Sequence, residues 1–288
     1  MLHTPLPAWL AAVRPTLQPP VCNRMLYASP RGLQIMVVGG PNERSDFHVE
    51  SGEELFLQLE GGMVLRVEER GVLRDVAIGE GQAFLLPPHV PHSPQRSAGT
   101  LGLVLERARR AGDGPDGLRW YTADGATVLY EETFHCTDLA TQLGPVIARF
   151  RASEQARTGA PDAAAPASPL RLDRETALGE ACALEAWPQA AEGQQPRHEF
   201  HVRVARGAGS VPVALAQAEL FLYLVRGRCA VRGGGGGGGG SGEAAAAWEQ
   251  ALAPGDTLVV PPASPSGEPT GTVRCEFDAE ALCLMVHY

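Results

Sequence analysis

Residues 47–67 read FHVESGEELFLQLEGGMVLRV. Short runs with alternating apolar residues, broken at Gly-Gly, are the pattern of β-strands joined by a tight turn. One histidine, His48, is followed by Glu50, Glu53 and Glu54. Side chains an even number of residues apart share a strand face. Parity therefore allies His48 with Glu50 and Glu54 and sets Glu53 on the other side. Glu50 sits beside the Ser51-Gly52 turn, which can reset the phase. Glu54 opens the strand ELFLQL and points where Phe56 and Gln58 point, so it is the favoured partner.

Strand signals of this kind recur in two regions. The first, about 33–106, holds QIMVVGG, RDVAIGEGQAFLLPP and GLVLERA; the second, about 197–287, holds HVRVARG, ELFLYLVRGRCAVR, DTLVVPP and LCLMVHY. Many short strands with frequent Gly and Pro predict antiparallel sandwiches or barrels. The regions also resemble each other. ELFLQLEGGMVLRV from Glu54 matches ELFLYLVRGRCAVR from Glu219, and GQAFLLPPHVPH from Gly81 matches GDTLVVPPASPS from Gly255. The intervals are 27 and 36 residues, and the glycine run Gly233–Gly240 falls inside the longer one. Similarity in fixed order marks an internal duplication with a loop inserted in the second copy. That glycine run cannot pack as a strand and is expected to be a floppy loop. Helical spacing over 139–157 predicts a helix packed on the first copy, and TGAPDAAAPASP, 158–169, reads as a linker.

The chain has 288 residues, 44% of them hydrophobic, and a net charge of −9. That acidity argues against a nucleic-acid or anionic-membrane partner. Apolar runs fall short of the roughly 20 residues of a membrane helix. The opening MLHTPLPAWLAAVRP lacks the basic start and apolar centre of a signal peptide and allows a short helix. The six cysteines form no CxxC pair, which fits reduced thiols in a cytosolic protein.

In the first copy, Glu54 is followed by Gly61, and Gly81 by Pro87 and then His92. This is the spacing of the two cupin motifs. Two departures stand out: Asp46 occupies the place of the first histidine of HxH, and His89 that of a glycine. The expected four-ligand site is thereby reduced to His48, Glu54 and His92, with His89 excluded. A lone histidine is more often an ordinary core or surface residue; two with a carboxylate form a facial set suited to non-haem Fe(II). Zinc with His2Glu and water is the competing metal. A non-redox metal cupin and a ligand-free storage cupin are the competing classes. In the second copy Val213, Ala263 and Ser266 are expected where His48, His89 and His92 stand, so that copy reads as scaffold without ligands. Arg44 and Arg96 each lie four residues from a histidine ligand. An arginine usually carries a solvated charge, but two beside a metal suit an anionic substrate, since guanidinium pairs bidentately with carboxylate.

The stretches QPPVCNR (18–24), GGPNERSDFHVESGEELFLQLEGGMVLRV (39–67), LLPPHVPHSPQR (85–96), GLVLER (102–107), DGLRWY (116–121), DLATQLGPVI (138–147) and SEQARTG (153–159) carry a specific likeness. Over roughly its first 160 residues the chain resembles the 3-hydroxyanthranilate 3,4-dioxygenase family of the animal two-cupin type. The resemblance implies a mostly β bicupin, two double-stranded β-helix (jelly-roll) barrels with a few short helices. Domains are expected at 1–160 (catalytic cupin) and 179–288 (degenerate cupin), with 161–178 as linker. It implies one Fe(II) per chain on His48, Glu54 and His92, with O2 as co-substrate; a second iron site on CxxC pairs is not expected. It implies that Arg96 and Glu106 hold the substrate carboxylate, Glu106 beside Arg96 steadying its guanidinium. Asn23 lines the pocket and Arg44 faces dioxygen. Arg44 and Glu54 are thus the catalytic candidates, Glu54 also touching substrate. The implied reaction opens 3-hydroxyanthranilate to 2-amino-3-carboxymuconate semialdehyde, which closes to quinolinate on the route from tryptophan to NAD. A second barrel in the same chain replaces a dimer partner, so a monomer is expected.

Overall fold

In the computed structural model the described residues are 1–19, 21–29, 32–188, 199–215, 219–234, 247–262 and 272–288. The chain divides into two compact units, one of residues 14–183 and one of 1–13 with 184–288. The elements in order are β1 (Leu2–Pro5), α1 (Leu6–Val13), β2 (Asn23–Ala28), β3 (Leu33–Gly39), β4 (Phe47–Val49) and β5 (Glu54–Glu60). Next come β6 (Met63–Glu69), β7 (Val72–Ile78), β8 (Gln82–Leu86), β9 (His92–Arg96), β10 (Leu101–Arg107), β11 (Asp116–Tyr121) and β12 (Val128–Phe134). After α2 (Leu139–Arg151) and α3 (Glu154–Thr158) follow β13 (Cys182–Ala183), β14 (His201–Arg206), β15 (Gly209–Ala214) and β16 (Leu220–Arg226). The chain ends with β17 (Cys229–Gly233), β18 (Trp248–Leu252), β19 (Asp256–Val260), β20 (Thr272–Phe277) and β21 (Leu282–His287).

The 14–183 unit is built from two antiparallel sheets ordered β13-β8-β5-β10-β3-β2 and β12-β11-β4-β9-β6-β7. Their facing side chains make one core: Met36, Phe56, Phe84 and Val104 from the first sheet meet Leu65, Val76 and Leu118 from the second. Helix α2 closes one side with Leu139, Leu143, Val146 and Ile147, as its spacing predicts. The other unit repeats the plan with β1-β19-β16-β21-β14 and β15-β20-β17-β18. The architecture is the expected mostly β bicupin. All six cysteines are free thiols, four of them buried.

The domain boundaries differ from the expected ones. Residues 1–13 join the second unit because β1 adds to the edge of β19. The stretch 161–178 belongs to the first unit and is no free linker. Its Leu170 fills the space a side chain at Gly117 would need, and Asp173 N–H donates to the His89 carbonyl. The glycine-run loop, apart from Gly233 and Gly234, lies outside the described residues, as do Ala263 and Ser266.

The duplication is visible in register, with one correction. Gly81 and Gly255 both take positive φ, 74° and 85°, where a side chain would be strained. Five residues on, Leu86 pairs with Glu54 and Val260 with Leu220. The residue in Glu54's place is therefore Leu220, one later than the ELFL match sets it. A one-residue slip turns every side chain to the other sheet face; Leu220, Leu222 and Leu224 fill the second core. Val213 pairs with Val273 as His48 pairs with His92. So Val273 faces the His48 equivalent, and the three corresponding positions, Val213, Leu220 and Val273, are apolar.

Candidate metal centre

Three strands and one ladder converge on the site. His48 at the middle of β4 lies directly opposite His92, the first residue of β9. Directly opposed residues on antiparallel strands bring their side chains close; here the rings stand 5.4 Å apart between centroids. Glu54, the first residue of β5, reaches between them from the other sheet. Its Oε1 lies 2.8 Å from His92 Nε2 and 3.8 Å from His48 Nδ1. The donor atoms of His48, Glu54 and His92 lie within 4.8 Å of one another, and all three residues are buried.

The far side of each ring is anchored. His92 Nδ1 lies 3.0 Å from the Val90 carbonyl, so it carries the proton and leaves Nε2 as a lone pair. His48 Nε2 lies 2.8 Å from Asp116 Oδ2. A carboxylate behind a histidine fixes its tautomer and raises its basicity as a ligand. Burial opposes charge on Glu54, but His92 and His48 beside it hold its carboxyl well below the ordinary range. Burial likewise opposes a proton on His92, and Glu54 more than offsets it, raising its pKa. Burial outweighs Asp116 at His48, whose pKa falls. Three candidate donors thus face one point with complementary charge, and the Glu54–His92 contact at 2.8 Å joins two of them where a cation would sit. This is what a divalent cation of intermediate hardness requires.

Around the donors lies a second layer that the sequence reading did not find. Arg109 Nη1 lies 2.5 Å from Glu50 and 3.4 Å from Glu106, and its Nη2 2.7 Å from Asp116. Glu50, Glu54 and Glu106 form a second buried cluster with oxygens within 4.8 Å. Burial pushes Glu50 well above the usual carboxylate range despite Arg109. Burial pushes Glu106 up to about 7. Protonation lets these acids share one small space, because an isolated buried charge is costly. Nothing local marks Arg109 or Asp116: they meet Glu50 and His48 across more than fifty residues. Gln58 was legible, since it shares Glu54's parity on β5.

The sequence-predicted residues gather in one cavity, lined among others by Asn23, Arg44, His48, Glu54, His92, Arg96 and Glu106. Its apolar walls include Met36, Phe56 and Val104, with Leu139 and Leu143 from α2. Arg44 is held by Asp46, the residue in place of the missing histidine, through Nε at 2.8 Å. His89 stands outside this cavity, as expected.

One expectation needs correcting. Glu106 does not hold Arg96; Glu106 pairs with Arg109, and Arg96 Nη1 donates to Gln58 Oε1 at 2.9 Å. The reason is Gly102 on β10, opposite Gln58. A Cβ there would meet Gln58 Oε1 at 2.8 Å and Arg96 Nη1 at 3.0 Å. Arg96 is buried, its Nε has no hydrogen-bond partner among the described residues, and burial lowers its pKa to about 10.

Fold and site together define a cupin with a buried candidate metal centre. A family profile for 3-hydroxyanthranilic acid dioxygenase matches residues 2–151. The rat protein named 3-hydroxyanthranilate 3,4-dioxygenase is 42% identical over 88% of this chain and 87% of its own length. The bovine and human proteins of that name are 52% and 50% identical, each over 62% of this chain and 62% of their own length. The chain belongs to the 3-hydroxyanthranilic acid dioxygenase family and is an enzyme of the dioxygenase class. Among the described residues no helix is long and apolar enough to cross a membrane.

Proposed function

We propose that this chain opens the ring of 3-hydroxyanthranilate with dioxygen, placing both oxygen atoms in 2-amino-3-carboxymuconate semialdehyde, with one Fe(II) held by His48, Glu54 and His92. The observation that carries the proposal is the convergence of two back-anchored imidazoles on a buried carboxylate beside a buried arginine. When bound there, Fe(II) would couple the electron-rich aminophenol ring to dioxygen and leave coordination positions for both.

The chain's own residues do the rest. Arg96 presents its Nε–H, without a hydrogen-bond partner among the described residues, to the substrate carboxylate, a charge-assisted contact. Glu106, with its pKa near neutrality and an Oε2 without a hydrogen-bond partner among the described residues, sits beside that carboxylate in its protonated form without repulsion. In its ionised form it accepts the substrate hydroxyl proton. Arg44, pinned by Asp46, offers positive charge on the dioxygen side. Asn23 lines the cavity, while Phe56, Val104, Leu139 and Leu143 exclude water. The product's spontaneous closure would yield quinolinate, a precursor on the tryptophan-to-NAD route. A cytosolic monomer completes the reading.

The test is anaerobic reconstitution with Fe(II), then 3-hydroxyanthranilate in air, following oxygen uptake and the absorbance of the conjugated product. Iron-dependent uptake equal to substrate consumed supports the proposal. Bound metal without uptake moves the site to a non-redox role.

A further inference from the structure

The second barrel holds a cavity of about 280 Å³, lined by His201, Arg203, Val213, Leu220, Met285 and His287, together with Pro212 and Ala214. Register relates it to the first barrel. Leu220 stands in Glu54's place, as above, and Met285 lies opposite Leu222 as Val104 lies opposite Phe56. Two residues on from these, His287 stands where Glu106 stands in β10. The acid Glu106 of the first barrel is thus replaced at this position by an imidazole. His201 lies directly opposite His287 across β14 and β21, their ring centroids 6.0 Å apart. Among the described residues no acidic side chain lines the cavity.

His287 is also poised. Its ring donates to the Ala214 carbonyl, while its Nε2 is buried without a hydrogen-bond partner among the described residues. A buried nitrogen left open in a cavity is a site for a ligand atom. A metal does not fit: Val213, Leu220 and Val273 stand where the three donors would be, and Arg203 repels a cation. An inorganic anion leaves Val213, Leu220 and Met285 uncovered. We propose that this cavity binds a small organic carboxylate, its anionic end on Arg203, His201 and His287 and its apolar body on Val213, Leu220 and Met285.

Burial, then His201 and Arg203, hold the His287 imidazole below its usual pKa. The charged or titratable groups lining the cavity beside it are these two on β14; β15, β16 and Met285 of β21 bring apolar side chains. A bound carboxylate stabilises the imidazolium, so binding takes up a proton and tightens as pH falls.

Benzoate is the probe, with the full chain and histidine ring resonances as the readout. Benzoate should shift the His201 and His287 signals saturably, with about tenfold higher affinity at pH 5.5 than at pH 7.5. Arg203→Gln, at an exposed position, should weaken benzoate at least about tenfold, and Arg203→Lys by less. Ring-cleaving turnover should stay unchanged in both. Equal shifts with benzamide would overturn the proposal, because charge would then play no part. Inorganic phosphate binding as tightly as benzoate, or no shift at all, would overturn it too. His287→Phe keeps the volume and should abolish the proton uptake; retained uptake counts against the proposal.

Discussion

Asp116 Oδ2 lies 2.8 Å from His48 Nε2, and the same carboxylate takes two hydrogen bonds from Arg109. The backing of one candidate ligand is thereby tied to the arginine that also reaches Glu50 and Glu106. Asp116→Asn keeps the shape and removes the charge. Loss of such a backing group typically costs about 10–100-fold in metal affinity. Competition with a chromophoric chelator checks this; unchanged affinity would show that Asp116 only packs.

His92→Ala removes one of three donors and leaves the other two unable to complete a face. Metal content after dialysis should fall to background, and Glu54→Ala should do the same. Elemental analysis of purified variants decides it, with circular dichroism to confirm the barrel. Full metal retention in either variant would place the ion elsewhere.

Gly102→Ala pushes a methyl group into the Gln58–Arg96 contact. Under the proposed role, Arg96 then loses its alignment with the substrate carboxylate. A hydrogen bond to a charged group contributes about 1.5–3 kcal/mol, so KM should rise by roughly 10–100-fold. Metal content should be unchanged, because the donors sit on other residues. A fall in kcat alone would contradict the binding role of Arg96.

Glu106 carries a pH signature in metal-free protein. Burial pushes its folded pKa to about 7, above the ordinary glutamate value of 4.5. The folded state therefore holds the proton more tightly, and this contribution is complete below pH 4.5 and lost as pH rises through 7. At 1.36 kcal/mol per unit, the loss is on the order of 3 kcal/mol. Urea unfolding at pH 5 and pH 8 should show wild type losing more stability than Glu106→Gln across that interval. Parallel losses would remove Glu106 as the titrating group.

Multi-angle light scattering should give the mass of one chain, 30.5 kDa. A dimer would refute the monomer expected from the fused second barrel.

Much of the fold and site was legible because it is local. Alternation in ELFLQLEGGMVLRV sets strands β5 and β6, and Glu54's parity puts it on the interior face. The motif spacing brings His48, Glu54 and His92 forward, and the tandem landmarks reveal two barrels. What stayed hidden depends on partners far apart in sequence. Glu106 was assigned to Arg96, yet Arg109 lies within reach of three carboxylates and takes it. The stretch 161–178 reads as linker by composition, yet Leu170 finds the hollow over Gly117.

The sequence by itself determined the strand periodicity, the duplication and the three candidate donors, since each is written in spacing along one chain. Only the tertiary structure decided that Leu220 rather than Glu219 faces the second barrel's interior, that Asp116 and Arg109 brace the site, and that Gly102 makes room for Arg96. The reason is physical. Residue spacing sets which side chains share a face, but sheet register and burial set which faces meet. A single-residue slip, too small to see in an ELFL match, is enough to replace a buried carboxylate with a leucine.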